Sequence, residues 1–233
     1  MSESVFLART IVLLKNLPLL AQLPEETLVS LAEKCTLAHY EADQTIFSQG
    51  ERSDRVWIVR LGQVKIVFHD IDGREVIIEM IQPGEAFGGG AIFLPKHPAT
   101  ARTMAPSEIV SFSLDEYEKI LLKHPIVGIK LIRMLGQRLF SVRDLSILAG
   151  ERVERRLAHI LLKLAKRVGR PHEEGVLIGI SLARQDLAEM SGTTLETAIR
   201  LMSNLRKQGV VKTLRGGYVV ILDEEKLREL ART

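Results

Sequence analysis

The chain has 233 residues, of which 46% are hydrophobic, 26% charged and 5% aromatic. That balance suits a folded protein of one large or two ordinary domains, and it excludes disorder or membrane insertion as an overall description. The net charge of +3 is unevenly spread: residues 1–149 carry 16 Lys and Arg against 18 Asp and Glu, whereas residues 150–233 carry 16 against 11. A slightly acidic body ahead of a basic third points to two partners, one of them polyanionic.

Cys35, the single cysteine, excludes an intramolecular disulfide and a Cys-rich zinc or iron-sulfur site. It suits a reducing cytoplasm, and Ser2, Glu3 and Ser4 do not make the basic start of a signal peptide. Residues 9–35 place apolar side chains at helical spacing, with Leu23-Pro24-Glu25-Glu26 as a helix start. From Thr36 to Ser113 the period becomes two, in runs such as Thr45–Phe47, Val56–Val59, Val64–Phe68, Val76–Ile78 and Ile109–Phe112. Gly50, Gly62, Asp72-Gly73 and Pro83-Gly84 punctuate them at the spacing of an all-β sandwich or jelly roll, and Asp72-Gly73 is the strongest hairpin signal.

From Pro125 to Ala149 the helical period returns without an internal proline. Ile132, Leu135, Leu139 and Val142 alternate by three and four, the stripe of a coiled coil. A helix packed on its own barrel is the plain alternative; a parallel dimer seam is favoured. Gly150 in Ala149-Gly150-Glu151-Arg152 marks a hinge before an amphipathic segment, Val153–Val168. Residues 169–175 are expected as a solvated loop and Val176–Ile180 as a short strand.

Ser181–Met190 reads as a capped short helix, Ser191-Gly192-Thr193 as a tight turn, and Thr194–Leu205 as a second helix capped by Thr193 or Thr194. Two short helices joined by a Gly-containing turn make a helix-turn-helix. Ala198, Leu201, Met202 and Leu205 are its inward face, which leaves Leu195, Glu196, Ile199 and Arg200 outside, where base edges are read. Glu196 and Arg200 stand four apart. Their plain role is a surface ion pair worth about 0.3 kcal/mol. Their position favours another, with Glu accepting from cytosine N4 and Arg donating to guanine. Gln208–Thr213 and Arg215–Ile221 follow as a two-stranded wing, whose turn brings Arg215 toward a phosphate.

The order of β-roll, long helix and winged helix, with the segment Thr194-Leu195-Glu196-Thr197-Ala198-Ile199-Arg200-Leu201, resembles the bacterial CRP/FNR transcription regulators over nearly the whole chain. The resemblance implies an α+β architecture with three parts. Residues 1–124 are a β-roll sensor with flanking short helices, 125–149 a dimerisation helix and 150–233 a winged-helix DNA-binding domain. It implies a homodimer on a pseudo-palindromic operator, with Glu196 and Arg200 reading a G·C-containing core. Thr194, Leu195, Ile199, Arg184 and Arg215 complete the expected DNA surface, and RNA polymerase is an expected partner. Leu195 and Ile199 depart from the Arg and the Ser that other members carry there.

Residues 84–102 lie where the family holds its phosphate-binding cassette. Cyclic-nucleotide binders use a Glu on the ribose and an Arg on the phosphate. By that resemblance Gly89 and Ala99 occupy those positions, so both anchors are absent. An unpaired buried phosphate is costly, which speaks against cyclic AMP. Gly88, Gly89, Gly90, Ala99 and Thr100 mark the expected effector pocket. The glycines either cradle an anion through bare amides or, the favoured alternative, allow a tight turn. Haem sensing of nitric oxide or carbon monoxide, through His39, His69 or His97, is a minor alternative beside an unidentified small molecule or no effector. The chain shows no catalytic triad, metal-ligand spacing or nucleotide-binding glycine motif, so an enzyme is not expected. An adaptor module that has lost DNA binding is the remaining alternative.

Overall fold

The computed structural model describes residues 3–69, 75–89, 94–147 and 152–232, with the backbone alone for Glu3 and residues 137–147. The chain forms two compact units, Met1–Arg138 and Leu139–Thr233.

The first unit opens with α1 (Glu3–Asn16) and α2 (Glu25–Ala32), the second preceded by Pro24 as the sequence suggests. Two antiparallel four-stranded sheets follow. One runs β1 (Thr36–Tyr40), β8 (Ser107–Ser113), β3 (Arg55–Leu61), β6 (Ala86–Phe87); the other runs β2 (Thr45–Phe47), β7 (Thr100–Thr103), β4 (Val64–His69), β5 (Glu75–Ile81). This is the sandwich that the period-two runs call for, since alternate side chains meet between the sheets. Phe47, Trp57, Val64, Ile81 and Phe87 form one buried cluster, while Leu14, Leu28, Ile58, Val110, Phe112 and Ile120 join the N-terminal helices to the β1–β8–β3 sheet in another. Gly62 has φ +87°, and a Cβ there would overlap Ser107, so only glycine makes that turn. The Asp72-Gly73 turn lies outside the described residues. Strands β4 and β5 on either side of it do pair antiparallel.

Ser113 caps α3 (Leu114–Lys123), its Oγ accepting from the Glu116 amide at 3.3 Å. Helix α4 then runs from Pro125 to Ile147, with proline in its first turn, where a missing N–H is harmless. Ile132 is 69% exposed, whereas Leu135 packs partly against the core of its own unit. The side chains of Leu139 and Val142, and the proposed hinge at residues 149–152 apart from Arg152, lie outside the described residues. No helix among the described residues is long and apolar enough to cross a membrane.

The second unit contains α5 (Val153–Val168), α6 (Arg184–Ser191), α7 (Leu195–Lys207) and α8 (Glu224–Arg232) around a sheet ordered β11 (Val211–Thr213), β12 (Val219–Ile221), β10 (Gly175–Ile178), β9 (Gly169–His172). The expected loop at residues 169–175 is in fact half of a hairpin, with Gly169–His172 paired to Gly175–Ile178. Its glycine and proline disguise it: β9 is an edge strand, where Pro171 and a polar sequence are tolerated.

Candidate nucleic-acid interface and sensor cassette

The helix-turn-helix is assembled by local chemistry. Helix α6 starts at Arg184, three residues later than expected, because the Asp186 carboxylate accepts from the Ala183 amide at 2.9 Å and caps it. Ser181 has another role: its hydroxyl donates to the Gly216 carbonyl and fastens the wing. Gly192 ends α6 in the left-handed conformation (φ 60°), and Thr194 Oγ1 accepts from the Thr197 amide at 3.3 Å to start α7. On α7, Ala198, Leu201, Met202 and Leu205 are buried as the periodicity requires.

Glu196 and Arg200 are both exposed on the opposite face. Among the described residues no ion pair joins them or engages either side chain. Leu195 and Ile199 beside them are 42% and 47% exposed, an apolar element within a charged surface. Arg215 is exposed in the tight turn of the wing, where Gly216 and Gly217 take φ of +77° and +82°. Gly217 seats that turn by accepting from the Leu182 amide at 3.0 Å. Arg184 behaves differently from its neighbours: it is half-buried, and Nη2 donates to Thr213 Oγ1 at 2.9 Å, bracing α6 against the wing. Burial, with Arg206 nearby, holds its pKa below the usual guanidinium value.

Sequence reasoning missed Arg156. From α5 its Nε donates to the Ser191 carbonyl at 2.8 Å and its Nη2 to Gly192 at 3.3 Å. A guanidinium thus neutralises the carbonyl end of α6 at the turn that aims α7. The signal, an arginine at the start of an amphipathic helix, is too common to single it out.

In the first unit the expected effector residues separate. Ala99 is buried, and Thr100 Oγ1 is occupied by the Gln49 amide at 3.0 Å. Gly88 (φ +77°) backs onto the Trp57 indole, while Gly89 faces Val56 and Tyr117. Gly90 lies outside the described residues. Gly88 and Gly89 border a cavity of about 220 Å³ that Ala99 and Thr100 do not line. Arg102, three residues beyond Ala99, is engaged elsewhere. It grips Glu75 through Nη2 at 3.0 Å and Nη1 at 3.3 Å, and His69 Nε2 lies 3.1 Å from the same carboxylate. Burial alone would raise the Glu75 pKa, but Arg102 and His69 outweigh it and hold the carboxyl low.

His97, also in this loop, is 3% exposed and stacks on Phe47 with ring centroids 3.7 Å apart. Its Nδ1 lies 3.2 Å from Ser53 Oγ, and its backbone zips to Glu51 and Gly50 at 2.8 and 2.9 Å. Trp57 and Phe87 complete the aromatic cluster. His39, by contrast, is largely exposed and His69 belongs to the Glu75 cluster, so the three histidines do not converge. Among the described residues no group of three or more His, Cys, Asp or Glu could hold a metal.

Residues 37–124 match the family model of the cyclic nucleotide-binding domain, and residues 155–230 match that of the Crp-like helix-turn-helix domain. Together they place a domain of the cyclic nucleotide-binding type ahead of a DNA-binding helix-turn-helix domain. The chain belongs to the CRP/FNR family of DNA-binding transcription regulators, proteins that are not enzymes. It is 28% identical over 207 residues to the CRP-like cAMP-activated global transcriptional regulator of Mycobacterium tuberculosis, covering 88% of this chain and 92% of that one. It is 25% identical over 194 residues to the anaerobic regulatory protein of Haemophilus influenzae, covering 83% and 75%. The solved structure of FixK2 from Bradyrhizobium japonicum superposes with a TM-score of 0.74 at 26% identity, over 84% of this chain and 96% of that one.

Proposed function

We propose that this regulator acts in the cytoplasm as a homodimer and reads a two-fold pseudo-palindromic operator, one α7 helix per half-site. The observation that carries this reading is the exposure of Glu196 and Arg200, which form no ion pair among the described residues, near the capped start of α7. Arg200 donates to guanine O6 and N7, and Glu196 accepts from a cytosine N4. The exposed Leu195 and Ile199 have no hydrogen bonds to offer and suit thymine methyl groups, so the half-site combines a G·C core with adjacent T. Thr194 and Arg215 contact the phosphates, and Arg184 holds the wing so that Arg215 reaches them.

Exposed apolar residues on α4, Ile126, Ile129 and Ile132, support the dimer, since such a row gains most by meeting its own copy. Ile132 belongs to the same heptad stripe of the sequence as Leu139 and Val142. Control by cyclic AMP is not part of this reading: Gly89 and Ala99 bring no charge, and Arg102 is committed to Glu75. A change in the sensor domain shifts the two long helices and re-aims the winged helices through the segment at 149–152, and the DNA-bound dimer engages RNA polymerase.

Operator selection from random duplexes tests the assignment. The expected outcome is an inverted repeat, with Arg200→Ala losing selectivity at the G·C position while salt-sensitive non-specific binding persists. Unchanged selectivity in Arg200→Ala refutes the role of that residue.

A further inference from the structure

The cavity beside Gly88 and Gly89 has a composition that points to a ligand. It holds about 220 Å³, and its walls, all in the first unit, include Leu20 of the N-terminal segment, Gly88 and Gly89 of the cassette, and Leu131, Met134 and Leu135 of α4. Among the described residues no Lys or Arg lines it, and the one carboxylate among them, Glu85, accepts from the Gln82 amide at 2.8 Å. Such a space repels anions and favours an uncharged, mainly apolar guest.

Tyr117 supplies the one neutral polar side chain in the lining. The residue is 3% exposed, its ring edge rests on Phe112 with centroids 6.2 Å apart, and its hydroxyl makes no hydrogen bond among the described residues. The hydroxyl is not among the fully buried unpartnered atoms, so it is the accessible neutral donor that this lining offers to a guest. Burial pushes its pKa up to about 12, which keeps the phenol a neutral donor at cellular pH.

We propose that this cavity binds a small, uncharged, mainly apolar effector with a single oxygen or nitrogen that accepts from the Tyr117 hydroxyl. An engineered apolar cavity of ~150 Å³ takes benzene. The larger space here accommodates a one- or two-ring aromatic or a short alkyl alcohol. Because the walls join the cassette to α4, an occupant fixes the long helix against the sensor and shifts the population of its settings. That regulatory role rests on the DNA-binding reading above; the binding itself does not.

Full-length protein titrated with fluorescent 2-naphthol, and with naphthalene as its hydroxyl-free counterpart, tests the site. The expected result is saturable binding of one molecule per chain. Tyr117→Phe then weakens 2-naphthol about three- to tenfold, the loss of one hydrogen bond, and leaves naphthalene unchanged. Gly89→Leu and Met134→Trp fill the space from opposite walls and abolish binding of both probes. Gly89 suits this use, because a Cβ there stays 3.6 Å from Tyr117 with no positive φ to strain. Unchanged circular dichroism and melting temperature show that the variants fold. Absence of saturable binding to the wild type, binding undiminished in both filled variants, or an equal loss of both probes in Tyr117→Phe overturns the proposal. These outcomes leave operator selection by Arg200 unaffected, and failure of that selection leaves the titration unaffected.

Discussion

Gly88 and Gly89 are adjacent residues of one type, yet the same methyl group should be costly at the first and nearly neutral at the second. At Gly88 the backbone has φ +77°, and an added Cβ would overlap Trp57 Cε3 and lie 2.6 Å from its Cζ3. The left-handed conformation costs a residue with a Cβ about 1–2 kcal/mol. Forcing a methyl against a rigid, buried indole adds about 1–3 kcal/mol. Gly88→Ala should therefore destabilise the first unit by about 2–5 kcal/mol, lowering its melting temperature by roughly 6–15 °C at about 3 °C per kcal/mol for a unit of this size. At Gly89 the nearest atoms are 3.6 and 3.7 Å from the Cβ position and φ is not positive, so Gly89→Ala should stay within about 0.5 kcal/mol. Thermal unfolding followed by tryptophan fluorescence suits the pair, because Trp57 is the only tryptophan and the group displaced. Gly88→Ala should shift its emission in the folded state as well. Equal melting temperatures for the two variants would refute the claim that the indole fixes Gly88.

Burial depresses the His97 pKa against the opposing pull of Asp54 and Glu51, so the unfolded chain accepts a proton near pH 6.5 that the folded protein resists. Stability should be full above that pH and decline below it, and His97→Phe, which keeps the stack on Phe47, should flatten the change in urea midpoint between pH 7.5 and 5.5; parallel profiles would count against it. Arg156→Ala removes the bonds to the Ser191 and Gly192 carbonyls and should destabilise the second unit by about 1.5–3 kcal/mol, with Arg156→Lys intermediate, as measured by urea unfolding. Ile132→Glu places a charge on the exposed face of α4 and should convert dimer to monomer in analytical ultracentrifugation without lowering the helical circular dichroism of the chain. An unchanged sedimentation coefficient would move the dimer seam elsewhere.

The elements that periodicity determines were legible before any coordinates. Helix α5 spans Val153–Val168 as its apolar spacing indicates, Thr194 caps α7, and Ala198, Leu201, Met202 and Leu205 turn inward. In each case the information is local, because one helical face or one hydroxyl and its nearby amide is enough. Strand β9 was not legible, since an edge strand with Pro171 is held by backbone pairing to β10 and by little that its side chains reveal. Ser181 likewise looked like a cap, and only the approach of Gly216 from the wing drew its hydroxyl away.

The sequence by itself determined the succession of β-rich domain, long helix and winged helix and the exposed pair Glu196 and Arg200, because spacing and residue chemistry carry those facts; the positions of Gly89 and Ala99 in a cassette rest on resemblance. Tertiary structure alone decided that Arg184 braces the wing, that Arg156 seals the turn, and that Gly89 parts company with Ala99 to pack beside Tyr117 at the edge of a cavity. These depend on which distant segments meet: residues 184 and 213, 156 and 191, or 89, 117 and 134 are brought together by packing, and no local pattern encodes a partner that far along the chain.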